Sequence, residues 1–313
     1  MENSLFLPST MPLTPMVTSS ASVAFIGNTS DVDAVRGRIL EMNLSNYTKD
    51  ICDLGDVKEE IGTSIGAIII DQIEANHFLP FVINDPFVDL SNDEVFLDHF
   101  FSPAFISNRQ EARDRHTHLG VQKHFLPDNF EWLESKHLRL GDIKADPQRV
   151  EVFLRNADLI SINLNVIRLA DNIGHSESCT AGLSIEELAM IAKYAGASPK
   201  LKTLLIEGYD PAVDHHAMMS SNIALLYWYF LEGYQVRLRE STEIERTKSY
   251  TLMVEEVDGA IEFIENTDSG RWWVRIYSQD ADDMVDIPCT KTDYEEACQN
   301  EISQRILSIL SNV

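Results

Sequence analysis

The chain has 313 residues, of which 44% are apolar, and this is enough to bury a large core in one or two domains. Its 50 acidic residues outnumber its 25 basic residues. The net charge of −25 argues against binding to nucleic acid or to an anionic membrane surface, because both need clustered lysine and arginine. No apolar run has the length of a membrane helix, and no basic residue precedes Arg36, so we expect a cytoplasmic protein without a secretory signal.

Short apolar runs alternate with amphipathic segments along the first three quarters of the chain. The apolar runs predict strands, and segments with a period near 3.6 residues predict helices. The strands are expected at residues 22–26, 79–83, 159–166 and 202–206. The helices are expected at residues 32–42, 57–75, 184–196 and 217–232, with a further helix starting at Pro147.

Two helix starts and one helix end carry local signals. Asp146 before Pro147 is typical of a cap followed by the first helical residue. Ser184 and Glu187 have the spacing of a capping box, and Gly196 suits the left-handed position just after a helix. Strands alternating with helices predict an α/β protein, a three-layer α/β/α sandwich with a mostly parallel sheet.

The pattern changes near residue 246. Residues 250–255, 260–265 and 271–278 alternate like strands and are separated by turn-forming residues, which predicts a small antiparallel appendage. A terminal helix is expected at residues 294–310. We therefore expect residues 1–313 to form a single domain, with a core at about 20–245 and an appendage at about 246–313.

Residues 158–168 are the most informative part of the sequence. Ser161, Asn163 and Asn165 alternate there with apolar residues, and Asp171 and a small-polar loop follow before the capped helix. This order resembles the ureohydrolases, the family of arginase, agmatinase and formimidoylglutamase. Further matches are Leu140-Gly-Asp142, Asp210-Pro211 and a C-terminal segment around Gly270-Arg-Trp-Trp273, which is similar to a bacterial formimidoylglutamase-like branch.

The resemblance implies an arginase-like fold and hydrolysis of a C–N bond in linear amidines or guanidines. In that family two manganese ions activate the attacking water, and four aspartates and two histidines hold them. Two of those aspartates lie on a Ser-Phe-Asp-x-Asp strand, and the matching positions here are Asn163 and Asn165. Amides bring no negative charge, so the resemblance predicts a degenerate metal site.

The other family motifs are also not recognisable. No Gly-Gly-x-His loop follows the strand at 79–83, and no Asp-x-His-x-Asp motif was found between residues 86 and 98, which suggests a deletion of about one helix–strand unit. The family's substrate-binding glutamate falls on Gly208, with Glu207 one residue earlier. Asp171 and His175 fall in the family's active-site loop.

Three other groups of chemically competent residues have simpler interpretations. Asp114, His116 and His118 resemble a metal motif, but their polar surroundings predict a solvated loop. His215-His216 is expected at the exposed start of a helix, where adjacent side chains diverge. His175 and Cys179 share a loop, yet no third group orients them as a catalytic pair.

Three hypotheses follow. The first is a ureohydrolase-fold protein that has lost its manganese site and its activity, needs no cofactor, and binds an unknown protein or small-molecule ligand. The second is an active amidine or guanidine hydrolase that holds two manganese ions through other residues. The third is a metal-independent activity in the old cleft. The resemblance also implies a homo-oligomer.

Overall fold

The structure is a computed structural model that describes residues 6–7, 23–28, 32–47, 51–57, 79–83, 94–97, 116–122, 124, 137–173, 180–242, 247–254, 259–278, 283–303 and 306–307. Within these ranges the chain forms a nine-stranded sheet and a four-stranded sheet. The helix expected at 57–75 lies outside the described residues except for Val57, which belongs to a strand.

The larger sheet has the strand order β1-β3-β2-β4-β9-β8-β5-β6-β7. Every pairing in it is parallel except the short antiparallel contact between β1 and β3. The strands are β1 (Phe6–Leu7), β2 (Val23–Asn28), β3 (Ile51–Val57), β4 (Leu79–Ile83), β5 (Glu94–Leu97), β6 (His116–Val121), β7 (His137–Arg139), β8 (Leu159–Asn163) and β9 (Thr203–Glu207). The four strands predicted from apolar runs, β2, β4, β8 and β9, are consecutive parallel neighbours, and this confirms the predicted class of sheet.

Six α-helices are present in the described parts of the chain. They are α1 (Asp33–Leu40), α2 (Leu140–Ala145), α3 (Gln148–Leu154), α4 (Ile185–Gly196), α5 (Met218–Thr242) and α6 (Lys291–Ala297). The start of α4 has the predicted capping box between Ser184 and Glu187. Helix α3 begins one residue later than predicted, with Pro147 at the cap position, and the Asp146 carboxylate accepts a hydrogen bond from the backbone N–H of Gln148 at 3.1 Å.

Helices α1, α4 and α5 share one continuous apolar core with one face of the sheet. Alternate residues of parallel strands point to the same face, so Phe25 and Phe81 on β2 and β4 lie side by side. Tyr227 of α5 contacts both rings edge-on, with centroid separations of 5.3 and 4.9 Å. Ile162 of β8 is fully buried in the same cluster. This packing holds β2, β4 and β8 against α5 in one buried cluster.

Two glycines lie where helices α4 and α5 meet, and the role expected for Gly196 is wrong. Gly196 was expected just beyond α4, and α5 was expected to end at Glu232. Instead Gly196 is the last residue of α4, and α5 continues through Gly233 to Thr242. A β-carbon on Gly196 would lie 2.1 Å from a backbone oxygen of α5, and one on Gly233 would lie 2.0 Å from the Lys193 oxygen of α4. Both glycines allow close contact between the two helices.

The C-terminal sheet is antiparallel and has one strand more than expected. Its strands are β10 (Thr247–Val254), β11 (Gly259–Asn266), β12 (Trp272–Ser278) and β13 (Asp283–Cys289). The predicted terminal helix at 294–310 is wrong in extent. Helix α6 begins after a capping box at Thr290 and ends at Ala297, and Asn300 then adopts a left-handed φ of 65° that interrupts the helix.

A buried charge cluster joins α1 to β3. The Arg36 side chain is fully buried, and its Nε lies 2.9 Å from a carboxylate oxygen of Asp53, whose side chain is also fully buried. Its Nη1 lies 2.9 Å from Asp56 and 3.2 Å from Asp33. The guanidinium also stacks over Phe25 at 5.2 Å from the ring centroid. One arginine thus pairs with three acidic side chains, Asp33, Asp53 and Asp56.

A second buried arginine, Arg155, joins the two sheets. It follows α3, and its Nη1 donates a hydrogen bond to the Trp272 backbone oxygen of β12 at 2.6 Å. Its guanidinium lies 4.6 Å from the Trp273 ring centroid and pairs with Glu151. In the part of the chain that the structure describes, no helix is both long and apolar enough to cross a membrane.

Candidate functional site

The strand order changes direction in the middle of the larger sheet. The chain fills β1 to β4 on one side, crosses to β5, β6 and β7 on the other, and returns to insert β8 and β9 between the two halves. Ligands of open α/β sheets bind beside the carboxyl ends of strands at such a point. The carboxyl ends of β8 and β9, here called the β8–β9 edge, are therefore the candidate site.

Asn163 and Asn165 both lie at this edge, but not on one continuous strand. The predicted strand at 159–166 ends at Asn163, and Leu164–Val166 form a single 3₁₀ turn. The Asn163 side-chain oxygen accepts a hydrogen bond from the Asn165 backbone N–H at 3.0 Å, which ends the strand and starts the turn. Asn165 is only 1% exposed, so its amide is enclosed by protein.

Glu207 is the last residue of β9 and lies directly beside Asn163 in the register of the sheet. Its Oε2 accepts a hydrogen bond from the Ser161 hydroxyl of β8 at 2.7 Å. Gly208 follows with a left-handed φ of 81°, which turns the chain away from the sheet. Gly208 has no side chain, so Glu207 carries the carboxylate at this position, and its role in binding a substrate stays a prediction. The sequence did not predict the hydrogen bond from Ser161 to Glu207, because it depends on β9 being the neighbour of β8.

Asp171 holds the loop after β8 in place. Its Oδ2 accepts hydrogen bonds from Arg168 Nε at 2.8 Å and from the Ile185 backbone N–H at 3.1 Å. Its backbone oxygen accepts from Asn222 Nδ2 at 2.7 Å. The hydrogen bond from Arg168, together with the charge of Asp171, raises the pKa of that guanidinium. Asp171 therefore ties the edge to α4 and α5. The other candidate of this loop, His175, lies outside the described residues, as does Cys179.

The prediction of a solvated loop around His116 and His118 is wrong. Both residues lie in β6, which pairs in parallel with β5. Through β5, His116 is level with Leu159, the first residue of β8, and so lies at the opposite end of the sheet from Asn163. At roughly 3.3 Å per residue, the backbone of His116 is about 13 Å from that of Asn163 along the strand direction. His118 is level with Ser161. Asp114 lies outside the described residues.

His215 and His216 occupy an exposed turn before α5, as expected for an exposed helix start. His216 and Ala217 have left-handed φ values of 66° and 55°. The cap of α5 is Asp214, whose carboxylate accepts hydrogen bonds from the backbone N–H groups of Met219 and Ser220 at 2.8 and 3.0 Å. These contacts indicate a structural rather than a catalytic segment.

The sequence suggested that a helix and a strand are deleted between residues 86 and 98. For the strand, this prediction is wrong. Residues Glu94–Leu97 form β5, which pairs with both β8 and β6. The strand is short and has one charged residue in four, which weakens its sequence signal. Asp98 and His99 come next in the sequence, and they lie outside the described residues.

The described part of the β8–β9 edge does not fit two manganese ions. It offers one carboxylate, Glu207, which already accepts from Ser161, and the neutral amides of Asn163 and Asn165. Two dications need several anionic ligands to balance their charge. Among the described residues, no group of three or more histidine, cysteine, aspartate or glutamate side chains is arranged to hold a metal ion.

Comparison with known proteins connects this geometry to one fold. The Trypanosoma cruzi formiminoglutamase with manganese aligns with a TM-score of 0.59 and 14% identity over 72% of this chain and 97% of that protein. The agmatine ureohydrolase of Thermoplasma volcanium aligns with a TM-score of 0.58 and 16% identity over 77% and 98%. The Bacillus subtilis arginase aligns with a TM-score of 0.53 and 13% identity over 67% and 98%.

The chain therefore has the arginase-like fold of the ureohydrolases, with an additional antiparallel sheet at its C-terminus. Similarity extends alike to formiminoglutamases, an agmatine ureohydrolase and an arginase, so it does not assign a branch, bacterial or other. No protein-family description and no curated protein sequence matches the chain.

Proposed function

We propose that this protein is a cytoplasmic member of the ureohydrolase family that has lost the binuclear manganese centre and acts by binding rather than by hydrolysis. The observation that carries the proposal is the chemistry of the β8–β9 edge. Asn163 and Asn165 occupy positions that resemble the paired aspartates of the family, and the Asn163 oxygen is used to cap the following turn. A neutral pair at this position cannot supply the charge that two dications require.

The ligand that best suits the edge is a small cation such as an amidine or a guanidine. Glu207 provides a carboxylate at the end of β9, and the Ser161 hydroxyl holds it at 2.7 Å. A planar cation can donate paired hydrogen bonds to a carboxylate oriented in this way. The edge would then bind a ligand of the kind that the family hydrolyses, without a metal-activated water to attack it.

One observation favours the alternative of an active metal-dependent hydrolase. Strand β5 is present next to β8, and Asp98 and His99 follow its last residue, Leu97, in the sequence. Carboxyl ends of neighbouring parallel strands meet at one edge, so this hypothesis assigns metal binding to residues after β5. Glu207 would bind the substrate cation in both hypotheses.

Metal content separates the two hypotheses. The full-length protein is purified with manganese present, dialysed, and measured for bound manganese per chain. Ammonia release from formiminoglutamate and urea release from arginine and agmatine are measured with and without a chelator. We expect substoichiometric metal and no chelator-sensitive product. About two manganese ions per chain, or turnover abolished by chelator, would favour the active hydrolase.

Calorimetric titration with agmatine and arginine tests the binding role itself. We expect binding without product formation, and we expect Glu207→Gln to weaken it about tenfold or more, because the substitution removes the negative charge and keeps the side-chain shape. Asp210→Asn is the matched control, since Asp210 is exposed in the loop beyond the edge. Equal weakening by both substitutions would contradict a role for Glu207.

A further inference from the structure

A cavity of about 350 Å³ lies between the sandwich and the C-terminal sheet. Its walls come from α3, α4 and α5 on one side, and from the β11–β12 turn and the start of α6 on the other. The volume is within the range of about 300–1,000 Å³ that is usual for small-molecule sites. It lies near Arg155 and Ala197, which precede β8 and β9, and therefore at the opposite end of these strands from the β8–β9 edge.

The cavity wall is rich in positive charge in a strongly acidic protein. Among the described residues, four cations line it, Arg155, Lys193, Arg271 and Lys291, and the acidic lining residue is Glu151. Glu151 accepts from both arginines: the ion-pair distances are 2.5 Å to Arg155 and 3.0 Å to Arg271. The guanidiniums are nearly buried, with side-chain exposures of 2% and 10%.

The two lysines are more accessible than the arginines. Lys193 pairs with Glu232 at 3.0 Å and retains 30% of its side-chain exposure, and Lys291 pairs with Glu295 at 3.2 Å and retains 67%. Exposed pairs of this kind are weak, because solvent screens them. A bound anion can therefore compete for both ammonium groups without breaking a buried contact.

The rest of the cavity suits an apolar or aromatic group. Tyr194 and Val236 line it and are half-buried, so part of their apolar surface faces the cavity. Burial, followed by the charge of Glu151, raises the pKa of the Tyr194 hydroxyl, so the phenol is a neutral hydrogen-bond donor. Apolar walls with a few convergent polar groups are typical of sites for organic ligands.

We propose that this cavity binds a small organic anion, which joins a carboxylate or phosphate group to an aromatic or aliphatic part. The anionic group contacts Lys193 and Lys291, and the arginine pair at Glu151 supplies the surrounding positive potential. The apolar part lies against Tyr194 and Val236. The site is separate from the β8–β9 edge and does not depend on whether that edge binds metal or amidine.

The test is calorimetric titration of the full-length protein with three probes of one shape, namely benzoate, phenyl phosphate and benzamide. We expect the two anions to bind and neutral benzamide to bind at least tenfold more weakly. The anion that binds more tightly shows whether the site prefers a carboxylate or a phosphate group. We expect Lys193→Gln and Lys291→Gln each to weaken anion binding about tenfold, equivalent to about 1.4 kcal/mol. Both lysines are partly exposed, so both variants should fold.

Lys248→Gln is the matched control, because Lys248 is an exposed lysine on β10 that does not line the cavity. It should leave anion binding unchanged, and so should Glu207→Gln at the β8–β9 edge. Three results would overturn the proposal: benzamide binding as tightly as benzoate, the control weakening anion binding as much as the two cavity variants, or no binding of either anion at millimolar concentration.

Discussion

Replacement of Arg36 by methionine should be among the most destabilising single changes in this protein. Methionine has a similar length and no charge, so the substitution removes the cation while largely filling its space. Asp53 would then be a fully buried carboxylate without the guanidinium that lies 2.9 Å away in the native chain. Asp56, with a side-chain exposure of 12%, loses the same partner.

The expected loss is about 3 kcal/mol in the free energy of unfolding. Removing one partner of a buried ion pair costs about 3–5 kcal/mol, because the remaining charge is left desolvated. The lower end applies here, since Asp53 also accepts a hydrogen bond from the Gly55 backbone N–H at 2.9 Å, which remains in the variant. The contact between Arg36 and the Phe25 ring is also lost, and this contributes about 0.5–1 kcal/mol of the total.

The measurement is urea unfolding followed by circular dichroism at pH 7 and at pH 4.5. Burial already raises the pKa of Asp56 above its usual 3.8, against the opposing effect of Arg36. In the variant the pKa of Asp56 should rise further, because the opposing effect of Arg36 is lost. The folded state then binds more protons than the unfolded state, and stability falls as pH rises from the unfolded pKa of this carboxyl group through its folded pKa. The loss in the free energy of unfolding, relative to the native chain, should therefore be larger at pH 7 than at pH 4.5.

Arg38→Met on the same helix is the matched control. Arg38 pairs with Glu41 at 2.9 Å, but the two side chains are 38% and 66% exposed. The cost should not exceed about 0.5 kcal/mol. A loss below about 1 kcal/mol for Arg36→Met, or a deficit that does not change with pH, would refute the electrostatic account of this cluster.

Three further predictions concern other parts of the chain. Gly233→Ala should destabilise by about 1–3 kcal/mol in urea unfolding, because its β-carbon would lie 2.0 Å from the Lys193 oxygen, and a stabilised variant would contradict this close helix contact. Cys52 is buried with its pKa raised to about 12 by desolvation, so a thiol reagent at pH 8 should modify exposed Cys298 but not Cys52 in the folded protein, as peptide mapping would show. Asn163→Asp combined with Asn165→Asp should lower the free energy of unfolding by a few kcal/mol without conferring manganese binding, and tight metal binding by the variant would instead support the active-hydrolase hypothesis.

Features governed by neighbouring residues in the sequence were predicted well. The capping box of Ser184 and Glu187 joins groups three residues apart, so the sequence contains the whole interaction. The alternation around Ile160 and Ile162 reflects one buried face of a strand, and both side chains are fully buried. The four apolar runs that were assigned to strands are therefore four adjacent parallel strands.

Features that depend on a distant partner were missed. Gly196 was predicted to end a helix, and the close contact between α4 and α5 gives it and Gly233 a packing role that the sequence did not show. The pairing of Ser161 with Glu207 depends on β8 and β9 being neighbours, although the two residues are 46 positions apart. The end of β8 at Asn163 was also missed. Apolar and polar residues continue to alternate through residues 164–166, but the Asn163 side chain accepts a hydrogen bond from the Asn165 backbone N–H and starts a 3₁₀ turn there.

Arg155 also constrains how this chain can be shortened. Arg155 lies at the end of α3 in the sandwich. Its guanidinium nevertheless donates a hydrogen bond to the Trp272 backbone oxygen and stacks on the Trp273 ring in the C-terminal sheet. A fragment ending near residue 245 would keep this guanidinium and Glu151 but lose both aromatic neighbours and Arg271, the other arginine that pairs with that carboxylate. Loss of the C-terminal sheet in a truncated chain would thus uncover charged groups in the sandwich.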